Sequence, residues 1–284
     1  MKCISRFYTQ WGSLVAGLSL VGLSFAEQIH IAHCKDGCPT SLSDSTSTLS
    51  GPSAVQSEII VRHLYAASIS ASGLADWVAY RVLPETVGVA SLLPRYWRLD
   101  GLSRVADALE SEVGESTRIV QPDLSNSQDR DYRINEVTLL EEDRGRLVPM
   151  TSFAGTPYWD ELNYLSNMTL LPTELRTGAW SRLDQVVNEL AQAGASYHVI
   201  SGSIYSNELR DSSGMLIPEL FFKVIAGADG LASFGFPAYV KPQASFCDFS
   251  LPLAELSSAS GLSFFPNSNN LLPEDLIVDL GCQR

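Results

Sequence analysis

Asp143-Arg144-Gly145-Arg146-Leu147-Val148-Pro149-Met150 opens the stretch whose reading decides the fold. It continues through Leu162-Asn163-Tyr164-Leu165-Ser166-Asn167-Met168-Thr169 and closes on Thr177-Gly178-Ala179-Trp180-Ser181-Arg182-Leu183-Asp184-Gln185. A turn precedes an apolar run, an asparagine-rich segment follows, and then Ala179, Trp180, Leu183, Val186, Val187 and Leu190 recur at helical spacing. That periodicity predicts a helix over 178–190 with one apolar face. Gly194 is its natural stop.

Working outward, Glu58 to Tyr65 and Trp77 to Val82 are β-branched and aromatic, and read as two strands of a hairpin or meander. Asn135 to Leu140 reads as a strand leading into the Asp143 turn, and Trp159 to Leu165 as a short helical turn. Downstream, Tyr197 to Ser201, Leu220 to Ile225 and Leu231 to Tyr239 read as strands. Phe246-Cys247-Asp248-Phe249 is expected to begin another, and Leu253 to Ala259 to form a short helix. Residues 39–57 and 84–135, rich in Ser, Thr, Gly, Pro and Asp, read as loops. Strands and helices are mixed without a βαβ repeat, which predicts an α+β fold. No linker divides the chain, so residues 27–284 are expected to form a single domain.

Residues 1–26 read as a signal peptide. Lys2 and Arg6 form a basic start, Trp11 to Phe25 an apolar run, and Ser24-Phe25-Ala26 a cleavage signal before Glu27. The run is too short for a spanning helix, and no later stretch is long enough. The mature form is therefore expected to have no membrane segment and to be secreted or periplasmic. It keeps Cys34, Cys38, Cys247 and Cys282, an even count that reads as two disulfides in an exported chain. Proximity favours Cys34 with Cys38 and Cys247 with Cys282. The second loop would contribute about 3–4 kcal/mol. A zinc site using His30 and His33 beside Cys34 is the competing reading, with unusual ligand spacing.

The chain of 284 residues has 19 Lys and Arg against 32 Asp and Glu, a formal net charge of −13. That acidity argues against nonspecific coating of nucleic acid, though not against a local basic cleft. One compact cationic cluster, Arg95-Tyr96-Trp97-Arg98, has two readings: a phosphate contact, or a partly buried aromatic flanked by solvated arginines. His63, among apolar neighbours, is expected to be a core or sheet histidine rather than a catalytic one.

Several motifs occur in order: Cys34-Lys35-Asp36-Gly37-Cys38-Pro39, Ile60-Val61-Arg62-His63, Trp77-Val78-Ala79-Tyr80, Asp143-Arg144-Gly145, Leu162-Asn163-Tyr164-Leu165-Ser166-Asn167, Gly178-Ala179-Trp180-Ser181-Arg182-Leu183, Phe246-Cys247 and Gly281-Cys282. Together they resemble the DNA/RNA non-specific endonuclease family, in particular its secreted bacterial branch. The resemblance runs from about Cys34 to Cys282. It implies a central antiparallel sheet flanked by helices and a ββα-metal (His-Me finger) site, and the same two disulfides. It also implies magnesium-dependent hydrolysis of DNA and RNA. In that chemistry a histidine after Asp-Arg-Gly activates water, an asparagine holds the hydrated metal, an acid orients metal-bound water, and arginines clamp the phosphate.

Carried onto this chain, the resemblance puts Arg146 at the general-base position and Arg176 at the metal-ligand position. Asp184 takes the water-orienting acid position, and Asn188 stands where an arginine is common. Arg95 and Arg144 match phosphate-contact positions, and Asp143, Asn163 and Asn167 match as supporting residues. Arginine stays protonated and cannot serve as a base. A cation also offers Mg²⁺ no oxygen. Loss of a general base typically costs about 10²–10⁴-fold in rate. The expectation is a catalytically impaired or inactive member with no metal cofactor, retaining a cleft for nucleic acid or another phosphate ligand. In that cleft Arg95, Arg144, Arg146 and Arg176 would converge; the alternative is that these arginines are simply paired with Asp143, Glu174 or Asp184. Two further functional readings stand beside it: a weak Mg²⁺-dependent nuclease with a rewired site, and a protein–protein module. A homodimer is compatible with the resemblance.

Overall fold

The structure, a computed structural model, describes residues 31–42, 58–69, 75–95, 98, 100–103, 145–210 and 216–283. The expectations placed on residues 1–30, on Tyr96 and Trp97, on the strand at 135–140, and on Asp143 and Arg144 lie outside the described residues.

In chain order the strands are β1 (Thr40–Ser41), β2 (Glu58–Val61), β3 (Tyr65–Ile69), β4 (Ala75–Val82), β5 (Gly145–Arg146), β6 (Met168–Thr169), β7 (Tyr197–Arg210), β8 (Leu216–Ala226), β9 (Leu231–Pro237) and β10 (Leu262–Ser263). The α-helices are α1 (Thr173–Leu175), α2 (Ser181–Gln192), α3 (Leu253–Ser260) and α4 (Leu276–Asp279). Six strands form one antiparallel sheet in the order β2-β3-β4-β7-β8-β9. This is the expected α+β architecture.

The sheet is covered on both faces, and strand alternation sorts the side chains between them. On one face Val78, Tyr80, Val199, Phe221, Ile225, Phe234 and Phe236 pack with Trp180, Leu183 and Val187 of the α2 region. On the other, Trp77, Ala79, Ile200, Phe222 and Val224 pack with Cys34, Leu253, Leu256 and Phe264. Double coverage explains why β4 and β8 read as nearly continuous apolar runs instead of clean alternation.

Several boundaries differ from the sequence reading. Glu58 to Tyr65 is not one strand: the chain reverses at Arg62–Leu64, where the Arg62 amide donates to the Tyr65 carbonyl at 2.8 Å. Tyr65 therefore starts β3, and β2-β3-β4 is a three-stranded meander. His63 sits on that reversal and is exposed, not in the core. Its Nδ1 lies 2.7 Å from Glu161 Oε1, and its ring stacks on Tyr158 at 4.1 Å. Phe246–Phe249 is a 3-10 turn, not a strand. Ser245 accepts from the Cys247 amide and Asp248 accepts from the Ser245 amide, each at 3.2 Å, and this reciprocal cap favours a helical start.

Both disulfides form as expected, Cys34–Cys38 and Cys247–Cys282, with Cα separations of 4.8 and 5.4 Å. The zinc reading fails, because Cys34 and Cys38 are consumed and His33 Nε2 lies 2.9 Å from the Arg62 carbonyl.

The helix predicted over 178–190 begins earlier. α1 passes into a wide turn at Arg176–Trp180, distorted at Gly178, before α2 runs to Gln192. Gly194, at φ +111°, ends it as expected.

Candidate functional site

The two-stranded ribbon β5–β6 lies against the six-stranded sheet, with Arg146 opposite Met168. Gly145 is required there by space: a Cβ would fall 2.6 Å from that of Leu171. Asn167 fastens the ribbon. Its Oδ1 accepts from the Val148 amide at 2.8 Å, and its Nδ2 donates to the carbonyls of Val148 and Leu162 at 3.2 and 3.0 Å. This buried amide replaces backbone pairing that the short ribbon cannot supply.

Arg146 is buried within that frame. Its Nε donates to the Leu162 carbonyl at 3.1 Å and its Nη2 to Asn163 Oδ1 at 2.6 Å. Asn163 Nδ2 in turn reaches the Pro94 carbonyl and Asp160 Oδ1, both at 3.4 Å. One asparagine thus connects Arg146 to the segment carrying Arg95.

The other wall is helical. Arg176, also buried, starts the distorted turn, and its Nη2 donates to Thr173 Oγ1 at 3.3 Å. Local widening of a helix of this kind is frequent at functional sites. Arg182 Nη2 donates to the carbonyls of Pro242 and Ala244 at 3.1 and 2.6 Å. Asn188 ties α2 to the 3-10 turn at Met150–Ser152. It accepts from Ser152 Oγ at 2.6 Å and donates to Thr151 Oγ1 at 3.0 Å.

Asp184 makes an ion pair with Lys223, which strand alternation in β8 directs under α2. Lys223 is wholly buried, with its Nζ 4.0 Å from the centroid of the Trp180 ring. Desolvation lowers the lysine pKa, and the Asp184 carboxylate opposes that shift. Sequence reasoning missed this lysine. Its signal was a cation inside the apolar run Leu220-Phe221-Phe222-Lys223-Val224-Ile225.

These elements enclose an open cavity of about 540 Å³. Arg95, Arg146, Arg176 and Arg182 line it, with Asp184 and Asn188. Of the arginines expected to converge, three do; Arg144 lies outside the described residues. Arg182 is an addition. Asn163 and Asn167 stand behind the lining as supports. Arg98 turns elsewhere: it pairs with Asp160 at 2.6 Å and lies over the Tyr164 ring. Neither arginine is a solvated flank: Arg95 is buried at the cavity, and Arg98 is engaged by Asp160 and Tyr164. His33, His63 and His198 do not line the cavity.

The described residues do not fit a divalent cation. Arg176, which the resemblance puts at the metal-ligand position, lines the cavity as a guanidinium without an oxygen donor, and the Asp184 carboxylate is engaged by Lys223. No group of three or more His, Cys, Asp or Glu residues is gathered among the described residues. Hard cations require clustered oxygen donors.

The antiparallel sheet with its ribbon-and-helix unit defines a protein of the ββα-metal nuclease fold. The chain belongs to the DNA/RNA non-specific endonuclease family, whose model matches residues 44–271. It is 29% identical over 281 residues to a protein described as "Nuclease" from Serratia marcescens, covering 93% of this chain and 92% of that relative. A chain in the crystal structure of the EndoG/EndoGI complex superposes with a TM-score of 0.54 at 20% identity, over 76% of this chain and 89% of that one. That likeness shows the shared fold.

Proposed function

We propose that this family member binds phosphate groups of nucleic acid in the arginine cavity without a metal ion, and that its hydrolytic capacity is reduced or lost. The observation that carries the reading is the placement of Arg146. At the position that the family resemblance gives to the general base stands a buried guanidinium, held on Leu162 and Asn163, lining the same cavity as Arg95 and Arg176. A guanidinium donates but does not accept, so it can bind a phosphate oxygen and cannot take a proton from water. Arg176 supplies positive charge where a metal ligand would supply oxygen. Asp184, neutralised by Lys223, neither orients a metal-bound water nor repels the anion. Hydrogen bonds to charged groups contribute about 1.5–3 kcal/mol each, enough in combination for binding without a metal.

We further propose that residues 1–26 direct export and that residues 27–284 form the mature domain, secreted or periplasmic. Among the described residues no helix is long and apolar enough to cross a membrane.

The test is digestion of plasmid DNA and RNA with Mg²⁺, with and without EDTA, alongside binding of a labelled oligonucleotide at low salt. The unaltered protein is expected to bind, with affinity falling as salt rises, and to leave both polymers intact. The double variant Arg146→His, Arg176→Asn is expected to gain EDTA-sensitive cleavage of about 10²-fold or more over the unaltered chain. EDTA-sensitive digestion by the unaltered protein overturns the loss of hydrolysis. Absence of binding, or binding unchanged by Arg146→Ala, overturns the phosphate cavity.

A further inference from the structure

We infer that His63 is a positioning residue for Arg146. From the β2–β3 reversal it fixes, through Glu161 and Tyr158, the turn that holds that guanidinium. Neither His63 nor Glu161 lines the cavity, so the device works from outside it. The inference rests on the proposed role of Arg146 in binding phosphate, and adds what sets that residue's place.

The turn is the starting point. Trp159–Asn163 is a 3-10 helix, and the residue before it, Tyr158, makes no capping bond through its side chain. Short 3-10 pieces have few internal bonds of poor geometry. Their place therefore depends on anchors from other parts of the chain, and this turn has two. At its end, the Asn163 carbonyl accepts from the Arg98 amide at 3.0 Å, and Asn163 Nδ2 donates to the Pro94 carbonyl at 3.4 Å. At its start, Glu161 Oε2 accepts from the His63 amide at 2.9 Å, and Glu161 Oε1 lies 2.7 Å from His63 Nδ1. An ionised carboxylate only accepts, so the ring nitrogen facing it carries the proton. The His63 ring also lies flat on Tyr158, with centroids 4.1 Å apart and planes 3° apart. One histidine thus engages the turn at both Tyr158 and Glu161.

Exposure separates this from ordinary packing. The His63 side chain is 60% exposed, whereas that of Glu161 is 14% exposed. The histidine adds little to the core, so its contacts are not a by-product of burial. The carboxylate is largely withdrawn from water, and His63 engages both of its oxygens. Removing the ring takes a hydrogen bond from a poorly solvated charge and favours a shift of the turn toward water.

Arg146 receives the consequence. The residue after Glu161 is Leu162, whose carbonyl accepts from Arg146 Nε at 3.1 Å. Asn163 Oδ1 accepts from Arg146 Nη2 at 2.6 Å. A shift at Glu161 passes along the backbone to these acceptors, and hydrogen bonds weaken steeply as they bend.

The experiment compares the full mature protein with His63→Ala, His63→Asn and Phe222→Leu. Two quantities are read: hydrogen exchange of the Arg146 Nε–H by heteronuclear NMR, and affinity for a labelled oligonucleotide at low salt in EDTA. His63→Ala should speed the exchange about tenfold and weaken binding about threefold or more. The side-chain amide of His63→Asn can donate to Glu161 from near the Nδ1 position, and should restore part of both. Phe222→Leu lowers stability from the other face of the sheet and should change neither. Adding His63→Ala to Arg146→Ala should weaken binding no further, because the histidine acts through the arginine.

Unchanged Nε–H exchange in His63→Ala overturns the inference, whether or not the chain binds oligonucleotide. So does an equal change in Phe222→Leu, failure of His63→Asn to restore either quantity, or a binding loss that adds to that of Arg146→Ala. Faster exchange in His63→Ala, with no oligonucleotide binding by the unaltered chain, would keep the positioning of Arg146 and overturn the phosphate reading.

Discussion

The two faces of the central sheet bury different kinds of residue. The face under α3 is apolar, built from Trp77, Ala79, Ile200, Phe222, Val224, Leu253, Leu256 and Phe264 around the Cys34 disulfide. The face under α2 has an apolar core of similar character. It also buries Lys223, Asp184, Arg146, Arg176 and Arg95 at its margin. Buried charge is costly unless it is paired and hydrogen-bonded. Among the described residues these buried charges gather on the α2 side, which separates a side that holds the fold from a side that carries the cavity.

The comparison is broken most severely by removing one half of the buried pair. Asp184→Ala leaves Lys223 charged and unsatisfied beneath α2, and should cost about 3–5 kcal/mol in urea unfolding. A double variant, Asp184→Leu with Lys223→Met, should recover most of that loss, because apolar replacement of both partners is often neutral. A small loss for Asp184→Ala would show that the pair is solvated and that the two faces differ less than described.

On the apolar face, Phe222→Leu should cost about 1–2 kcal/mol, with the fold retained and oligonucleotide affinity unchanged. An affinity change of the size seen for Arg146→Ala would mean that the faces are coupled.

The remaining effect concerns pH. Next to the apolar face, desolvation pushes the His198 pKa down to about 4, and the nearby Arg81 and Lys35 charges add to the shift. The folded protein keeps this ring neutral while the unfolded chain protonates below the ordinary value of 6.5. Its stabilising contribution is therefore complete above that value and is lost as pH falls toward about 4. Burial lowers the His33 pKa as well, which acts in the same direction. Denaturation midpoints measured between these limits should fall with pH, and His198→Asn should flatten the dependence. A flat profile in the unaltered protein would show that neither ring resists protonation.

Features governed by local chemistry were legible in the sequence. Apolar spacing from Ala179 to Leu190 marked a helix, and Gly194 ended it, because both depend on residues within a few positions. The strand candidates from Trp77, Tyr197 and Leu220 fall within sheet strands, and the one from Leu231 forms β9 but ends at Pro237 short of Tyr239, since β-branched and aromatic runs suit a pleated, buried surface. Local apolar runs misled at Phe246, where the reciprocal Ser245–Asp248 cap outweighs strand propensity. They misled again at Tyr65, where a reversal divides one apolar stretch into two strands.

The candidate site was legible only in its outline. Arg146, Arg176 and Arg95 could be marked along the chain by motif. What each touches depends on long-range packing: Arg146 on Asn163, Asp184 on Lys223 across 39 positions, Arg182 on the carbonyls near Pro242. No local pattern encodes those pairings, because they arise when the ribbon, α2 and β8 are brought together by burial of their apolar sides. By itself the sequence determined the α+β class, the two cysteine pairs favoured by proximity, and the presence of arginine at positions 95, 146 and 176. Only the tertiary structure decided that Lys223 would engage Asp184, and that Arg182 would join Arg95, Arg146 and Arg176 in a single cavity. The reason is physical: side-chain type follows from the chain, whereas charge balance in a desolvated space follows from which distant groups are packed beside it.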